Sequence, residues 1–184
     1  MMKEPKPKTI YARGADDGLW MGLYISVAVA LIGGSLAVPL LRIPATALAL
    51  GVPFLTYFFL RRTHVAAHGM TVFSALWMQG IVMFACASII FGALAFVYLR
   101  YIDPGFIDAV FNYLIDFYDS MGDEAADALA DELRLVAEKN AYPRPAVLVL
   151  GEMWSIMFSG SLLSMVVSAI ARIKRVPVGG PGGR

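Results

Sequence analysis

Apolar positions along the chain run in four long blocks, residues 19–41, 43–60, 70–99 and 146–171, and one polar interval, residues 103–142, separates the last two. A helix needs about 20 apolar residues to cross a hydrocarbon core of about 30 Å, with a working range of about 17–25. All four blocks meet that requirement, the second at 18 residues most narrowly. The polar interval carries a different period. Ile107, Val110, Phe111, Leu114, Phe117, Tyr118 and Met121 fall on one helical face, and Asp108, Asn112, Asp116 and Asp119 on the other. After Gly122, the apolar positions Ala126, Leu129, Leu133 and Val136 repeat the pattern. Asp103 and Asp123 are the expected helix caps, with Pro104 in the first turn. The pattern predicts an all-α polytopic membrane protein. It has four transmembrane helices and an extra-cytoplasmic amphipathic helical hairpin between the third and fourth.

Composition supports one membrane domain over residues 1–184, with disordered tails at 1–11 and 176–184. The chain is 59% hydrophobic and 16% charged, against about 45–50% and about 25% in soluble domains. The first block is too long for a signal-peptide core of about 7–15 residues, so it is expected to stay uncleaved. The one cysteine, Cys86, lies in the third block, where a small buried apolar role is expected. Pro53, inside the second block, removes the donor for the Ala49 carbonyl and predicts a kink.

Charge gives the orientation. Lys3, Lys6, Lys8, Arg13, Arg61, Arg62, Arg172, Lys174, Arg175 and Arg184 fall on the side of the two termini, and Arg42, Arg100, Arg134, Lys139 and Arg144 on the other. Basic residues stay cytoplasmic, so both termini are expected in the cytoplasm. The interval 103–142, with ten acids against two bases, is expected outside. A net charge of +1 gives no reason to expect a nucleic-acid partner. The lipid bilayer, a membrane-protein partner and a homo-oligomer are the expected contacts.

Several positions invite chemistry. Gly18, Gly22, Ser26, Ala30 and Gly34 recur every four residues, a row that lets another helix approach closely. Glu152 lies inside the fourth block, with Ser155 and Ser159 near the same face. An acid within a span is a functional hypothesis by default, and a structural acid paired with Arg42, Arg100 or Arg144 is the competing one. Ser161, Ser164 and Ser168 form a second stripe, expected to serve packing. Gln79 is expected to make an interhelical hydrogen bond, and Trp77 to anchor the interface. His64 and His68 have an i, i+4 spacing that could hold a metal, but no third ligand is near, and two solvated histidines are the simpler expectation. The amphipathic hairpin presents Ile107, Phe111, Leu114 and Phe117 as a candidate partner-docking face. No nucleophile–base pair, phosphate loop or nucleotide fingerprint is present in the sequence, so no catalytic residue, cofactor or metal is assigned.

Two stretches carry a resemblance: Phe73-Ser74-Ala75-Leu76-Trp77-Met78-Gln79-Gly80-Ile81 and Tyr98-Leu99-Arg100-Tyr101-Ile102-Asp103-Pro104-Gly105-Phe106. The chain resembles, over roughly residues 15–175, a family of small bacterial inner-membrane proteins known only as a domain of unknown function. The resemblance implies four spans, an external segment before the last span and a bacterial envelope setting. It implies no activity, cofactor or site residue. The expected function is an accessory or scaffolding subunit of an envelope membrane complex. The alternative is a small oligomeric proton- or cation-coupled transporter or channel using Glu152.

Overall fold

The computed structural model describes residues 9–173. Six α-helices and no strand occur among them: α1 (Ile10–Gly34), α2 (Arg42–Ala66), α3 (Phe73–Val97), α4 (Phe106–Asp119), α5 (Glu124–Glu138) and α6 (Pro145–Ile173). A 3₁₀ turn, Pro39–Leu41, leads into α2, and a π-helical turn, Tyr98–Ile102, ends α3. Four stretches are long and apolar enough to cross a membrane: Ile10–Gly34, Pro39–Ala66, Phe73–Ile102 and Pro145–Ile173. The protein is an all-α polytopic membrane protein.

α3 is the central helix, packed on α1 along one side and α6 along the other. Small residues set both contacts. A Cβ on Gly18 would lie 2.6 Å from the Met83 carbonyl oxygen, and one on Gly22 would lie 2.9 Å from Ile90 Cβ. Gly14 extends the row one turn earlier, under the Gln79 carbonyl. On the other side, Gly80 makes room for Ser164, Gly92 for Met153 and Gly160 for Phe84. Between the helices lies a core of Met21, Ile25, Phe59, Met83, Phe84, Ala87 and Phe91. Most large apolar side chains of the spans remain exposed, as lipid-facing residues do.

Three element boundaries differ from the sequence reading. The first span is displaced to Ile10–Gly34 from the expected 19–41. Thr9 caps it by accepting from the Ala12 amide at 3.2 Å, so Ile10 and Tyr11 are helix and not tail. The tails 1–8 and 174–184 lie outside the described residues. α2 continues past Arg61 and Arg62 to Ala66, because both arginines find partners on neighbouring helices. It also runs unbroken through Pro53. One residue before the orphaned Ala49 carbonyl, that of Leu48 accepts from Tyr24 Oη at 2.8 Å, in the space left by Gly51.

The hairpin is α4 and α5, packed on each other and joined at Gly122, where φ is +63°. Asp123 is the α5 cap residue by backbone, without a side-chain bond. The α4 cap is Gly105 and not Asp103. Asp103 turns back instead, and its carboxylate accepts from Tyr98 Oη at 3.4 Å. The hairpin meets the bundle through Phe106, whose ring faces Gly33 and stands edge-on to Tyr98. Arg42 also donates to Tyr113 Oη at 3.0 Å.

Candidate functional site

A polar cluster occupies the end of the bundle where α1 begins and α6 ends. α1 brings Asp17, α2 brings Arg62 and Thr63, and α3 brings Gln79. Asp17 is 1% exposed and Gln79 fully buried. Both carboxylate oxygens of Asp17 are engaged: Oδ1 accepts from Arg62 Nη2 at 2.8 Å, and Oδ2 from Gln79 Nε2 at 3.0 Å. The same Gln79 nitrogen donates to Thr63 Oγ1 at 3.0 Å. Gln79 therefore ties three helices through one amide. The Arg62 guanidinium also lies over the Phe59 ring, 5.7 Å from its centroid. Arg61, one residue earlier, donates to the Ala171 carbonyl at 2.7 Å and fastens α2 to α6.

The physical logic is desolvation. A lone carboxylate in a span is costly, and pairing with full hydrogen bonding makes it tolerable. Gln79 Oε1 and Ser168 Oγ are buried without a hydrogen-bond partner among the described residues. The cluster opens on a pocket of about 300 Å³ lined by Arg13, Asp16, Asp17, Arg62 and Ala66.

Sequence reasoning named Gln79 as an interhelical donor, and the hydrogen bonds to Asp17 and Thr63 bear that out. It missed Asp17, which lies outside the first apolar block. The available signal was the small-residue row. Extending it one turn to Gly14 places Asp17, adjacent to Gly18, inside the helix contact.

The other predicted residues are scattered. Gly18 and Gly22 are buried against α3 of the same chain. Ser26 is half-buried and donates to its own Gly22 carbonyl, Ala30 is exposed, and Gly34 faces Leu41. The row thus serves a contact over its first half only. Ser164 and Ser168 are fully buried, Ser164 against Gly80, while Ser161 is half-buried and lends its carbonyl to Trp77 Nε1 at 3.2 Å. Trp77 is therefore a tie to α6. Glu152, Ser155 and Ser159 line the exposed face of α6, and Ser159 Oγ donates to the Ser155 carbonyl at 2.6 Å. Glu152 makes no hydrogen bond or ion pair among the described residues.

His64 is buried, not solvated, with Nδ1 against Thr71 Oγ1. His68 is exposed in the left-handed region at φ +52°. No group of three or more metal-ligating side chains occurs among the described residues. In the hairpin, Ile107 is buried, Phe111 and Leu114 are half-buried, and Phe117 is 43% exposed. Phe111 stands edge-on to Tyr142 at 5.1 Å, so the connection from α5 to α6 covers part of the expected docking face. Cys86 is half-buried beside Gly18.

Four apolar helices around a buried, hydrogen-bonded acid define a multi-pass α-helical membrane protein. The matching family model, a protein family of unknown function designated DUF4199, covers residues 16–172, and the chain belongs to that family. No curated protein and no solved structure matches the chain.

Proposed function

We propose that this protein is an accessory or scaffolding subunit of a membrane complex in the bacterial inner membrane, with both termini cytoplasmic. The observation that carries the reading is Glu152. It lies seven residues beyond Pro145, about 10 Å into the helix, on the exposed face of α6 and without a partner among the described residues. An ionisable group in lipid is expensive and usually faces protein or water. A second protein seated on the Glu152, Ser155 and Ser159 face removes that cost. The exposed Phe117 and the acidic faces of α4 and α5 add a polar-rimmed contact outside the bilayer.

A second reading draws on the same face. Copies of this chain meeting along α6 would bring Glu152, Ser155 and Ser159 to a shared seam, as a proton- or cation-coupled transporter or channel requires. A photo-crosslinking residue at position 155, in the full chain in its own membrane, separates the two. Crosslinks to one defined membrane protein support the subunit reading. Crosslinks only between copies move the weight to transport, where Glu152→Gln should abolish proton-linked flux in vesicles. Crosslinks to lipid alone sink both.

A further inference from the structure

The polar pocket at the Asp17 end does not stand alone. Arg62 lines it and also lines a second cavity of about 550 Å³ between α1 and α2. The walls of that groove include Trp20, Leu23 and Val27 from α1 and Leu48, Leu55 and Phe59 from α2, and Tyr24, whose hydroxyl donates to the Leu48 carbonyl, lines it as well. A charged pocket therefore runs into an apolar groove, with one guanidinium at the junction.

The charges on the polar side are specific. Both oxygens of Asp17 are already engaged, and the acid sits behind Arg62. Arg62 is 60% exposed, and only its Nη2 is used on Asp17. A guanidinium has five donors in a planar fork that suits phosphate oxygens. Arg13 is half-buried on the same pocket wall, and its guanidinium has no hydrogen-bond or ion-pair partner among the described residues. Two guanidinium groups thus face one opening, with the Asp16 carboxylate beside them on its wall.

The groove has the matching length. From Asp17 to Val27 is ten residues, about 15 Å along α1, and from Arg62 to Leu48 is fourteen, about 21 Å along α2. Half of a hydrocarbon core of about 30 Å is about 15 Å. Pocket and groove together therefore start at the end of the bundle and reach about the depth of one leaflet. We propose that this pocket and groove bind one membrane glycerophospholipid, its phosphodiester on Arg13 and Arg62 and one acyl chain between α1 and α2. A free phosphate would use only the pocket, and a neutral lipid only the groove.

The test uses the full-length protein in mild detergent, read by native mass spectrometry. The probes are dioleoyl phosphatidylethanolamine, dioleoyl phosphatidylglycerol, dioleoylglycerol without phosphate, and glycerophosphate without chains. A phospholipid should stay bound, with both partial probes weaker by about tenfold or more, because each lacks either the charge-assisted bonds or the buried chain. Arg13→Ala should weaken retention about tenfold. Val27→Trp fills the groove from an exposed position, so it should leave thermal stability unchanged while displacing the lipid. Val166→Trp, on the exposed face of α6, should change nothing. Equal retention of dioleoylglycerol, or binding of glycerophosphate as tight as that of the phospholipid, would overturn the proposal. So would retention untouched by Val27→Trp, a variant that does not disturb the Asp17 cluster.

Discussion

Asp17 and Glu152 are both carboxylates inside spanning helices, and the structure treats them oppositely. Asp17 is buried, and each of its oxygens is matched by a donor from another helix. Glu152 is exposed on α6 with no partner among the described residues. The first has its cost offset within the monomer and so acts as a fastener. The second has nothing to offset its cost until something else arrives. Position inside a span does not by itself make an acid functional. What separates the two is whether the chain supplies the partner.

That contrast can be strained first at the contact beneath Asp17. Gly18→Leu places a side chain where the Met83 carbonyl stands at 2.6 Å and Cys86 Cβ at 2.7 Å. Backbone cannot swing aside as a flexible side chain does, so α1 must lift off α3. The expected loss is about 3 kcal/mol, the upper end of overpacking costs, read as a lower melting temperature in detergent. Ala30→Leu, in the same row but exposed, should stay within about 0.5 kcal/mol. Equal losses at the two positions would show that the row is not a graded contact.

The next effect comes from the ion pair. Arg62→Ala leaves a buried carboxylate unpaired. Breaking such pairs costs about 3–5 kcal/mol when both partners are buried. Arg62 is more than half exposed, so screening cuts this to about 2 kcal/mol. Asp17→Asn combined with Arg62→Ala should restore much of the loss, because an amide needs no counter-charge. A double variant as unstable as Arg62→Ala alone would mean that the guanidinium acts through packing on Phe59 and not through Asp17.

Much of this arrangement could be read from sequence, and the failures have physical causes. Long apolar blocks and the 3.6-residue period placed the spans and the hairpin, since both signals are local. The first span slipped because hydropathy excluded Arg13, Asp16 and Asp17, whereas the fold retains Asp17 by pairing it across sixty-two positions with Gln79. Such a partnership has no local spacing. The Trp77 tie to α6 and the burial of His64 escaped in the same way. Their partners, the Ser161 carbonyl and Thr71 Oγ1, are set by how helices and turns pack and not by the period of either segment. Glu152 was legible as an intramembrane acid. Its outward direction was not, because Ser155 and Ser159 look alike on a buried or an exposed face.

Glu152→Gln sharpens the contrast from the other side. Within the isolated chain it removes a charge with no partner among the described residues, so melting should shift by less than about 0.5 kcal/mol. The crosslink from position 155 should nevertheless weaken. A large loss of monomer stability would assign Glu152 the same fastening role as Asp17 and end the comparison.

The smallest effect belongs to the hairpin, where charges meet in water. Arg134 bridges α5 to α4, pairing with Asp131 at 2.8 Å and with Asp119. The hydrogen bond it donates to Asp131 and then the charge of Asp119 hold its guanidinium above arginine's ordinary value. A raised folded-state value adds stability that is complete below the unfolded value and is lost only as pH rises through the folded one. For arginine both lie at extreme alkalinity, so this side of the pair gives no pH dependence near neutrality. Salt is the effective lever, since exposed pairs are screened within about 8 Å at physiological ionic strength. Arg134→Ala should leave the melting of the four spans unchanged and speed amide exchange in α4 and α5 at low salt, with the difference fading at high salt. If it instead lowers the melting of the whole chain, the hairpin is coupled to the bundle more tightly than the Phe106 and Arg42 contacts account for, and the division between an internally fastened bundle and a solvated outer segment fails.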